Sequence, residues 1–437
     1  MTAPHRPLTR AVCIVGAHMY AQLRQGLPAA PLGLGDLRAR LLGRGVSRNV
    51  VGLGFTSLLT DISSEMVSTV LPMYVLLFLR LSPLQFGALD GVYQGGAAML
   101  RLLGGLAADR SQRYKEVAGL GYALSAVSKL GLLGGALGGP PVLAGSLVVD
   151  RTGKALRTAP RDALISLSSP SSELGLAFAV HRALDTCGAL LGPLMAFALL
   201  ALVPDGYDVV FVTSLCFAVL GLGVLGLFVS NRAMPSRRSS AAGRPGELGT
   251  LWRDRQLRRL AAAAAVLGLT TISDAFVYLT LQHRLSFPAS FIPLLFVATS
   301  LVYLVLAVPA GRLADRVGRG RVFLAGYGLM LGVYTVLLMP SLGSLELGVA
   351  ILLLGGYYAA TDGVLMAMAS SLLPASVRTT GLAAVSAANG AGALAASLAF
   401  GGLWTCWGPG PAVAAFAAGL VAATFIASRA ISWHWRA

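Results

Sequence analysis

The sequence predicts an all-α polytopic membrane protein of twelve transmembrane helices, arranged as two pseudo-symmetric six-helix bundles. Three observations support this prediction: an apolar composition, a series of long charge-free stretches and an internal repeat. Hydrophobic residues make up 56% of the 437 residues and charged residues 12%, about half the roughly 25% of a soluble protein. This composition argues against intrinsic disorder, and the four cysteines show neither disulfide-type nor metal-ligand spacing.

Several charge-free stretches are long enough to cross a membrane, which takes about 20 helical residues for about 30 Å of hydrocarbon. The longest, residues 379–428, contains 50 residues and is interrupted at residues 408–411, a Gly-Pro-Gly-Pro sequence that a helix interior does not accept. It therefore predicts two spans. Boundaries placed at charges and Pro/Gly clusters predict twelve helices, which begin near Asn49, Leu84, Glu116, Pro141, Leu174, Tyr207, Leu257, Ala289, Gly320, Glu346, Thr379 and Pro411.

The spans also predict the domain organisation, because six precede and six follow a polar linker. Met19 is a second candidate for the start of translation, within a basic, Gly- and Pro-rich tail. The predicted parts are a cytoplasmic basic tail at 1–48, an N-terminal bundle at 49–230, a cytoplasmic linker at 231–256, a C-terminal bundle at 257–430 and a cytoplasmic tail at 431–437.

The distribution of basic residues predicts the orientation of these spans. Of the 34 Lys and Arg residues, 25 fall in the tails, the linker and the loops on one side, whereas the other side has only Arg80 and Arg284. Basic residues mark the cytoplasmic side, so both termini are expected to be cytoplasmic in a multi-pass protein of the cell (inner) membrane. The net charge of +16 is thus explained by topology, and no nucleic-acid partner is expected.

An internal repeat relates the two halves. Residues 105–110 (GLAADR) recur as residues 311–316 (GRLADR), each in the loop after the second span of its half, at an offset of 206 residues. Two homologous halves in the same orientation form a parallel repeat, in which the substrate site lies near the membrane midplane between the halves.

The loop at residues 105–115 resembles the signature between helices 2 and 3 of the major facilitator superfamily, with Gln112 where that family usually has Gly. The resemblance covers about residues 49–430. The stretches at residues 60–66, 150–162 and 181–185 are similar to a poorly characterised prokaryotic branch whose members are generally supposed to be exporters. The resemblance implies a secondary active transporter that works by alternating access, without enzymatic activity, cofactor or metal.

The repeated loops contain the candidate cytoplasmic gate. A carboxylate and a guanidinium at the mouth of the protein can pair when that face is closed and separate when it opens. The alternative is that these charges only stop membrane insertion. The predicted gate residues are Gly105, Asp109, Arg110, Arg113, Asp315, Arg316 and Arg319.

Charges inside the spans are the best candidates for the functional site, because an unpaired charge at the bilayer centre is costly unless it is paired or hydrated. At about 1.5 Å per residue, Asp61, Asp150 and Asp185 all fall near the midplane. The predicted residues of a proton-coupling and substrate cavity are Asp61, Glu65, Asp150, Arg151, Lys154, Arg157, His181, Arg182, Asp185, Asp274 and Asp362.

The resemblance implies that spans 1, 4, 7 and 10 line this cavity, and each of them carries a predicted acid. Most of the charges lie in the N-terminal half, so we expect one polar and one apolar side. The alternative is that the charges form structural ion pairs, among which Lys129 and the Arg182/Asp185 pair are candidates. Asp61 or Glu65 is the hypothesised site of the coupling proton, because two carboxylates four residues apart in low dielectric favour retention of a proton by one of them.

Gly188, Gly192 and Pro193 in the fifth span match part of the antiporter motif of superfamily exporters, and this favours export over import. The predicted function is therefore proton-coupled efflux of a small organic solute by a transporter that is expected to be monomeric in the lipid bilayer. The alternatives are proton-coupled uptake of a metabolite, an integral-membrane enzyme acting on a lipid-linked substrate and a receptor that does not transport.

Overall fold

The protein is described by a computed structural model, which covers residues 47–111, 113–169, 174–231, 254–373 and 378–431. No β-strand occurs among these residues, which are almost entirely helical. Most of the predicted tails and linker, including Met19, lies outside the described residues, so the predicted domain boundaries stay a prediction.

Six helices form the N-terminal half. Pro72 lies in the last turn of the first helix, and a π-helical turn, Tyr74–Phe78, follows directly. Gly139 adopts a φ of 63°, which bends the fourth helix just before Pro140 and Pro141. These helices are α1 (Arg48–Met73), α2 (Pro83–Ser111), α3 (Tyr114–Leu133), α4 (Gly135–Leu167), α5 (Leu174–Leu202) and α6 (Tyr207–Phe228).

The C-terminal half contains seven helices, because its first span is broken in two. A 3₁₀ turn, Ala289–Phe291, precedes the third of them. The helices are α7 (Arg255–Leu269), α8 (Asp274–Leu285), α9 (Ile292–Val317), α10 (Arg319–Leu338), α11 (Ser344–Leu372), α12 (Arg378–Trp407) and α13 (Pro409–Ala430). The predicted starts agree with the helical segments to within two residues, except for the fourth, where the prediction marks the bend after Gly139.

The break between α7 and α8 differs from the continuous helix that the sequence predicts. The β-branched run from Thr270 to Ile272 disfavours a continuous helix, and Ser273, in an extended conformation, precedes Asp274 in the first turn of α8. Tyr334 of α10 compensates for the lost backbone hydrogen bonds: its hydroxyl accepts from the Ile272 N–H (2.7 Å) and donates to the Thr270 carbonyl (2.9 Å). The break is thus a stabilised feature of the fold.

Nine segments of the described chain are long and apolar enough to cross a membrane on their own, with α7 and α8 counted together. The helices α2, α3 and α4 are not among them. α4 is the most polar of these three, with six charged residues between Asp150 and Asp162. A helix of that composition is tolerated in a membrane when protein or water surrounds its charges, which makes α4 the expected centre of the site.

The two halves meet along α2 and α12. A Cβ atom added at Gly95 of α2 would lie 2.5 Å from the carbonyl oxygen of Gly390, so only glycine allows the two backbones to come this close. Nearer the start of α2, the Leu84 N–H donates to Thr405 Oγ1 of α12 (3.0 Å). The contact between the two halves therefore continues to the end of the molecule where α1 ends and α2 begins. We call this the α1–α2 end.

Aromatic side chains close the α1–α2 end between the halves. Phe86 of α2 contacts Phe276 of α8 with ring centroids 4.9 Å apart, and Phe276 also contacts Phe400 and Trp404 of α12. A second bridge joins Phe197 of α5 to Phe291. Phe86, Phe276 and Phe400 are almost completely buried, so the halves form a tight apolar contact at this end.

Candidate functional site

A central cavity of about 630 Å³ lies between the two halves, behind the aromatic contact. It extends from Phe86 towards the opposite end of the helices, where Thr158 of α4 and Met366 of α11 line it. Its charged lining residues are Glu65, Asp90, Arg151, Lys154, Asp274 and Asp362. Five helices contribute these charges: α1, α2, α4, α8 and α11.

The expectation of an apolar C-terminal side is wrong. That side contributes Thr271, Asp274, Tyr358, Asp362 and Asn389 to the lining of the cavity. The expectation came from a count of charges, which does not register hydroxyl and amide groups that are spaced along apolar helices. Both sides of the central cavity are therefore polar.

Asp150 does not line the central cavity but lies in a buried ion cluster between α3 and α4. Its carboxylate accepts from Lys129 Nζ at 3.0 Å and pairs on its other oxygen with the Arg151 guanidinium. All three side chains are at most 5% exposed. Arg151 also stacks on the ring of Tyr93, 3.8 Å from its centroid. For Lys129 and Asp150 this geometry supports the structural alternative.

Asp61 and Asp185 come together between α1 and α5. Their carboxyl groups are near enough to influence each other electrostatically. Two arginines of α4 flank the pair: Arg157 lies 3.8 Å from Asp61, and Arg161 lies 3.5 Å from Asp185. The two carboxyl side chains are 18% and 19% exposed, so the pair is only partly shielded from solvent. We call these four residues the acid–arginine cluster.

Further polar groups fix the arginines of this cluster. Arg157 donates to Ser125 Oγ (2.9 Å), and its guanidinium lies over the ring of Tyr122. Arg161 pairs with Asp162 (3.0 Å) and donates to Ser57 Oγ (3.3 Å).

The two remaining predicted members of α5 lie at the edge of the acid–arginine cluster. His181 is buried, and its Nε2 lies 3.0 Å from Ser57 Oγ. Arg182 is 79% exposed and contacts Asp185 at 3.4 Å. His181 is therefore connected to Arg161 through Ser57, whereas Arg182 pairs with Asp185 from the exposed side.

Glu65 and Lys154 both line the central cavity. Glu65 accepts a hydrogen bond from Ser68 Oγ (2.7 Å). Neither residue has an ion pair within 4.0 Å among the described side chains, which distinguishes them from Asp61 and Asp150. The predicted Asp61/Glu65 pair is thus divided: Asp61 belongs to the acid–arginine cluster and Glu65 to the cavity.

Asp274 and Asp362 line the cavity from the C-terminal half. Tyr358 donates to Asp274 Oδ1 at 2.6 Å. Asp90 of α2, which is absent from the predicted site, accepts from Ser397 of α12 at 2.6 Å and joins the halves. The sequence shows Asp90 as an intramembrane acid, but its partner is 307 residues away and no local pattern identifies it.

The gate residues are only partly described. The helix α2 includes Gly105, but the side chains of Asp109 and Arg110 lie outside the described residues, and Arg113 is exposed before α3. In the second copy, Asp315 pairs with Arg319 at 3.0 Å, and Arg319 approaches the Ala367 carbonyl of α11 at 3.5 Å. Arg316 is exposed. The second loop therefore contacts the end of α11.

The glycines of the partial antiporter motif allow α5 to pack closely on α1, at the turns of α1 that carry Asp61 and Glu65. A Cβ atom at Gly188 would lie 2.5 Å from the Leu58 carbonyl oxygen and 3.1 Å from the Cβ of Asp61. A Cβ atom at Gly192 would lie 2.8 Å from the Cβ of Glu65. Pro193 follows within the same helix. The motif thus sets the distance between α5 and the two acids of α1.

A polar cavity between two helical bundles is the arrangement of an alternating-access membrane transporter. The family model described as Major Facilitator Superfamily matches residues 53–288 and 260–436, and the chain belongs to this family. It is 31% identical over 368 residues to an uncharacterised MFS-type transporter of Methanocaldococcus jannaschii, across 83% of this chain and 89% of that protein.

Solved structures show the same fold. A variant of the nucleoside transporter NupG matches with a TM-score of 0.73 at 14% identity, covering 87% of this chain and 99% of that chain. A variant of the peptide transporter POT in complex with sulfate matches with a TM-score of 0.73 at 16% identity, covering 90% and 95%. The major facilitator family inferred from the loop at residues 105–115 is confirmed, and so is the predicted fold class.

Proposed function

We propose that the protein exports a small organic solute across the cell membrane by alternating access, in exchange for protons. The observation that carries this proposal is the acid–arginine cluster on α1, α4 and α5, because α1 and α4 also line the central cavity. With the basic loops on the cytoplasmic side, the aromatic contact closes the outer end, and the cavity extends towards the cytoplasm. This is the state in which an exporter takes up its substrate.

The Asp61–Asp185 pair is suited to carry the coupling proton. Two neighbouring carboxyl groups in low dielectric favour retention of a proton by one of them, since two negative charges would repel each other. When that proton leaves, the newly ionised carboxylate can form a full ion pair with Arg157 or Arg161, which already lie within 4.0 Å of the pair. Proton binding and release therefore change the pairing between α1, α4 and α5, and such a change biases a two-state transporter.

The position of Gly188 and Gly192 supports proton exchange and the outward direction. The partial antiporter motif packs on the turn of α1 that carries Asp61 and Glu65. A movement of α5 therefore displaces Asp185 relative to Asp61. The sequence hypothesis named Asp61 or Glu65 as the proton site, and the geometry favours Asp61 because its carboxyl partner is Asp185.

The experiment is a proton-flux assay on purified protein reconstituted in liposomes that contain a pH-sensitive dye. A panel of metabolites and drugs is added under an imposed proton gradient, and compounds that collapse the gradient are retained. We expect Asp61→Asn and Asp185→Asn to reduce this flux to that of empty liposomes. Asp208→Asn, an exposed acid in the first turn of α6, is the matched control and should retain the flux.

Two results would contradict the proposal. Coupled flux at the wild-type rate in both Asp61→Asn and Asp185→Asn would exclude the carboxyl pair as the proton site. Accumulation of the retained compounds on the cytoplasmic side, with protons moving in the same direction, would establish uptake instead of export.

A further inference from the structure

A side pocket opens from the central cavity into the C-terminal half. Its volume is about 220 Å³, and it is lined by Asp274, Asp362 and the rings of Phe296, Tyr303 and Tyr358. Four of these residues, all except Tyr303, also line the central cavity. A solute in the central cavity therefore has direct access to the side pocket.

The two acids of the side pocket have no ionic partner in the described part of the chain. No described Lys or Arg side chain makes an ion pair with Asp274 or Asp362 within 4.0 Å. Arg182 influences Asp362 only from beyond that distance, and its own partner is Asp185. Because Asp362 is exposed and Asp274 is half-buried, both carboxylates are accessible to a cation that enters the side pocket.

The basic residues of the central cavity lie elsewhere. Arg151 and Lys154 both project from α4, in the other half of the molecule. Arg151 is held by Asp150 and Tyr93. The side pocket is therefore acidic on its own, although the cavity as a whole contains both signs of charge.

The rest of the lining suits an ammonium group on an apolar body. A cation is attracted to the faces of aromatic rings, and three rings line this pocket. The Ser300 hydroxyl also lines the side pocket. It can accept a hydrogen bond from an N–H donor, which a primary ammonium supplies.

From these observations we propose that the solute is an organic amine, whose ammonium group binds in the side pocket lined by Asp274 and Asp362. This proposal rests on the proposed transport function and specifies the substrate class. Carboxylates balance the charge of the amine, the rings contact its cationic and apolar parts, and Ser300 accepts one N–H. An anion of the same size meets two like charges in the pocket and is excluded.

The test is calorimetric titration of the purified full-length protein with two probes of matched size, phenethylammonium and 3-phenylpropionate. We expect phenethylammonium to bind at least about tenfold more tightly than 3-phenylpropionate. Asp274→Asn and Asp362→Asn should each weaken its binding by about tenfold or more, because each removes one charge and keeps the shape. Asp208→Asn, which is remote from the cavity, should bind it as the wild type does.

A second variant covers the case in which an Asp→Asn protein does not fold. Tyr303→Leu removes one ring and keeps both acids, and it should weaken phenethylammonium binding by about threefold. Binding of neither probe by the wild type, equal binding of both, or wild-type affinity in Asp274→Asn and Asp362→Asn would each overturn the proposal.

The titration needs no proton gradient, so its outcome is separate from that of the flux assay. Selective amine binding with no proton flux would leave the substrate class standing and remove the coupling. Proton flux that depends on Asp61, without selective amine binding, would support proton coupling and overturn the proposed substrate class.

Discussion

At the scale of single residues, the buried charges of α3 and α4 do not balance. Asp150 is the only acid in direct contact with Lys129 and Arg151 among the described residues, so two basic side chains share one carboxylate. Removal of the shared acid leaves two buried basic side chains without an acidic partner. Removal of Lys129 leaves Asp150 and Arg151 as a neutral pair.

We therefore predict an asymmetry between two substitutions. Asp150→Asn should lower the free energy of unfolding by about 3–5 kcal/mol, the usual effect of leaving a buried charge uncompensated. Lys129→Met should have a much smaller effect, because it keeps the shape of the side chain and the Asp150–Arg151 pair. Thermal unfolding of the detergent-solubilised variants measures both, and an equal or reversed order would show that Arg151 does not neutralise Asp150.

At the scale of the helices, the contact between α5 and α1 depends on the absence of side chains. At Gly188 even one methyl group would lie 2.5 Å from a backbone oxygen of α1, which cannot move without displacing the helix. A methyl group added at Gly226, on α6, would meet no described atom within 4 Å, so this glycine offers a matched comparison within the same half. The spacing of glycines suggested close packing, but only the structure shows that the packed surface is the turn with Asp61.

Gly188→Ala should therefore slow proton-coupled flux strongly, because it separates Asp185 from Asp61. Gly226→Ala should transport as the wild type does. The flux assay in liposomes compares the two, with thermal unfolding to confirm that both variants fold. Equal flux in both would mean that the spacing of α5 and α1 does not control coupling.

At the scale of the whole molecule, the two halves are held together at the α1–α2 end. The Phe86–Phe276 contact and the hydrogen bond from Leu84 to Thr405 both cross between the halves. An alternating-access cycle requires these contacts to separate, because the cavity must open at this end in one half of the cycle.

A cross-link at this point should stop transport. In a background in which Cys13, Cys187, Cys216 and Cys406 are replaced by Ser, the pair Leu84→Cys and Thr405→Cys should form a disulfide on oxidation. We expect oxidised protein to lose flux and to recover it with a reductant, whereas Leu84→Cys alone should be unaffected by either treatment. Continued transport by fully cross-linked protein would show that this end does not open.

The sequence by itself predicted the membrane class, the fold class, the family and most of the helix starts. Hydrophobic runs and the repeated loop are local signals. An apolar run in a bilayer forms a helix because its backbone hydrogen bonds must be satisfied within the segment. The tertiary structure decided which charges meet. Asp61 lies beside Asp185 rather than Glu65, Asp150 is enclosed by Lys129 and Arg151, and Asp274 lines a pocket whose described lining residues include no Lys or Arg. Those pairings join residues on different helices, and the distance and rotation between helices depend on side-chain packing across the whole bundle.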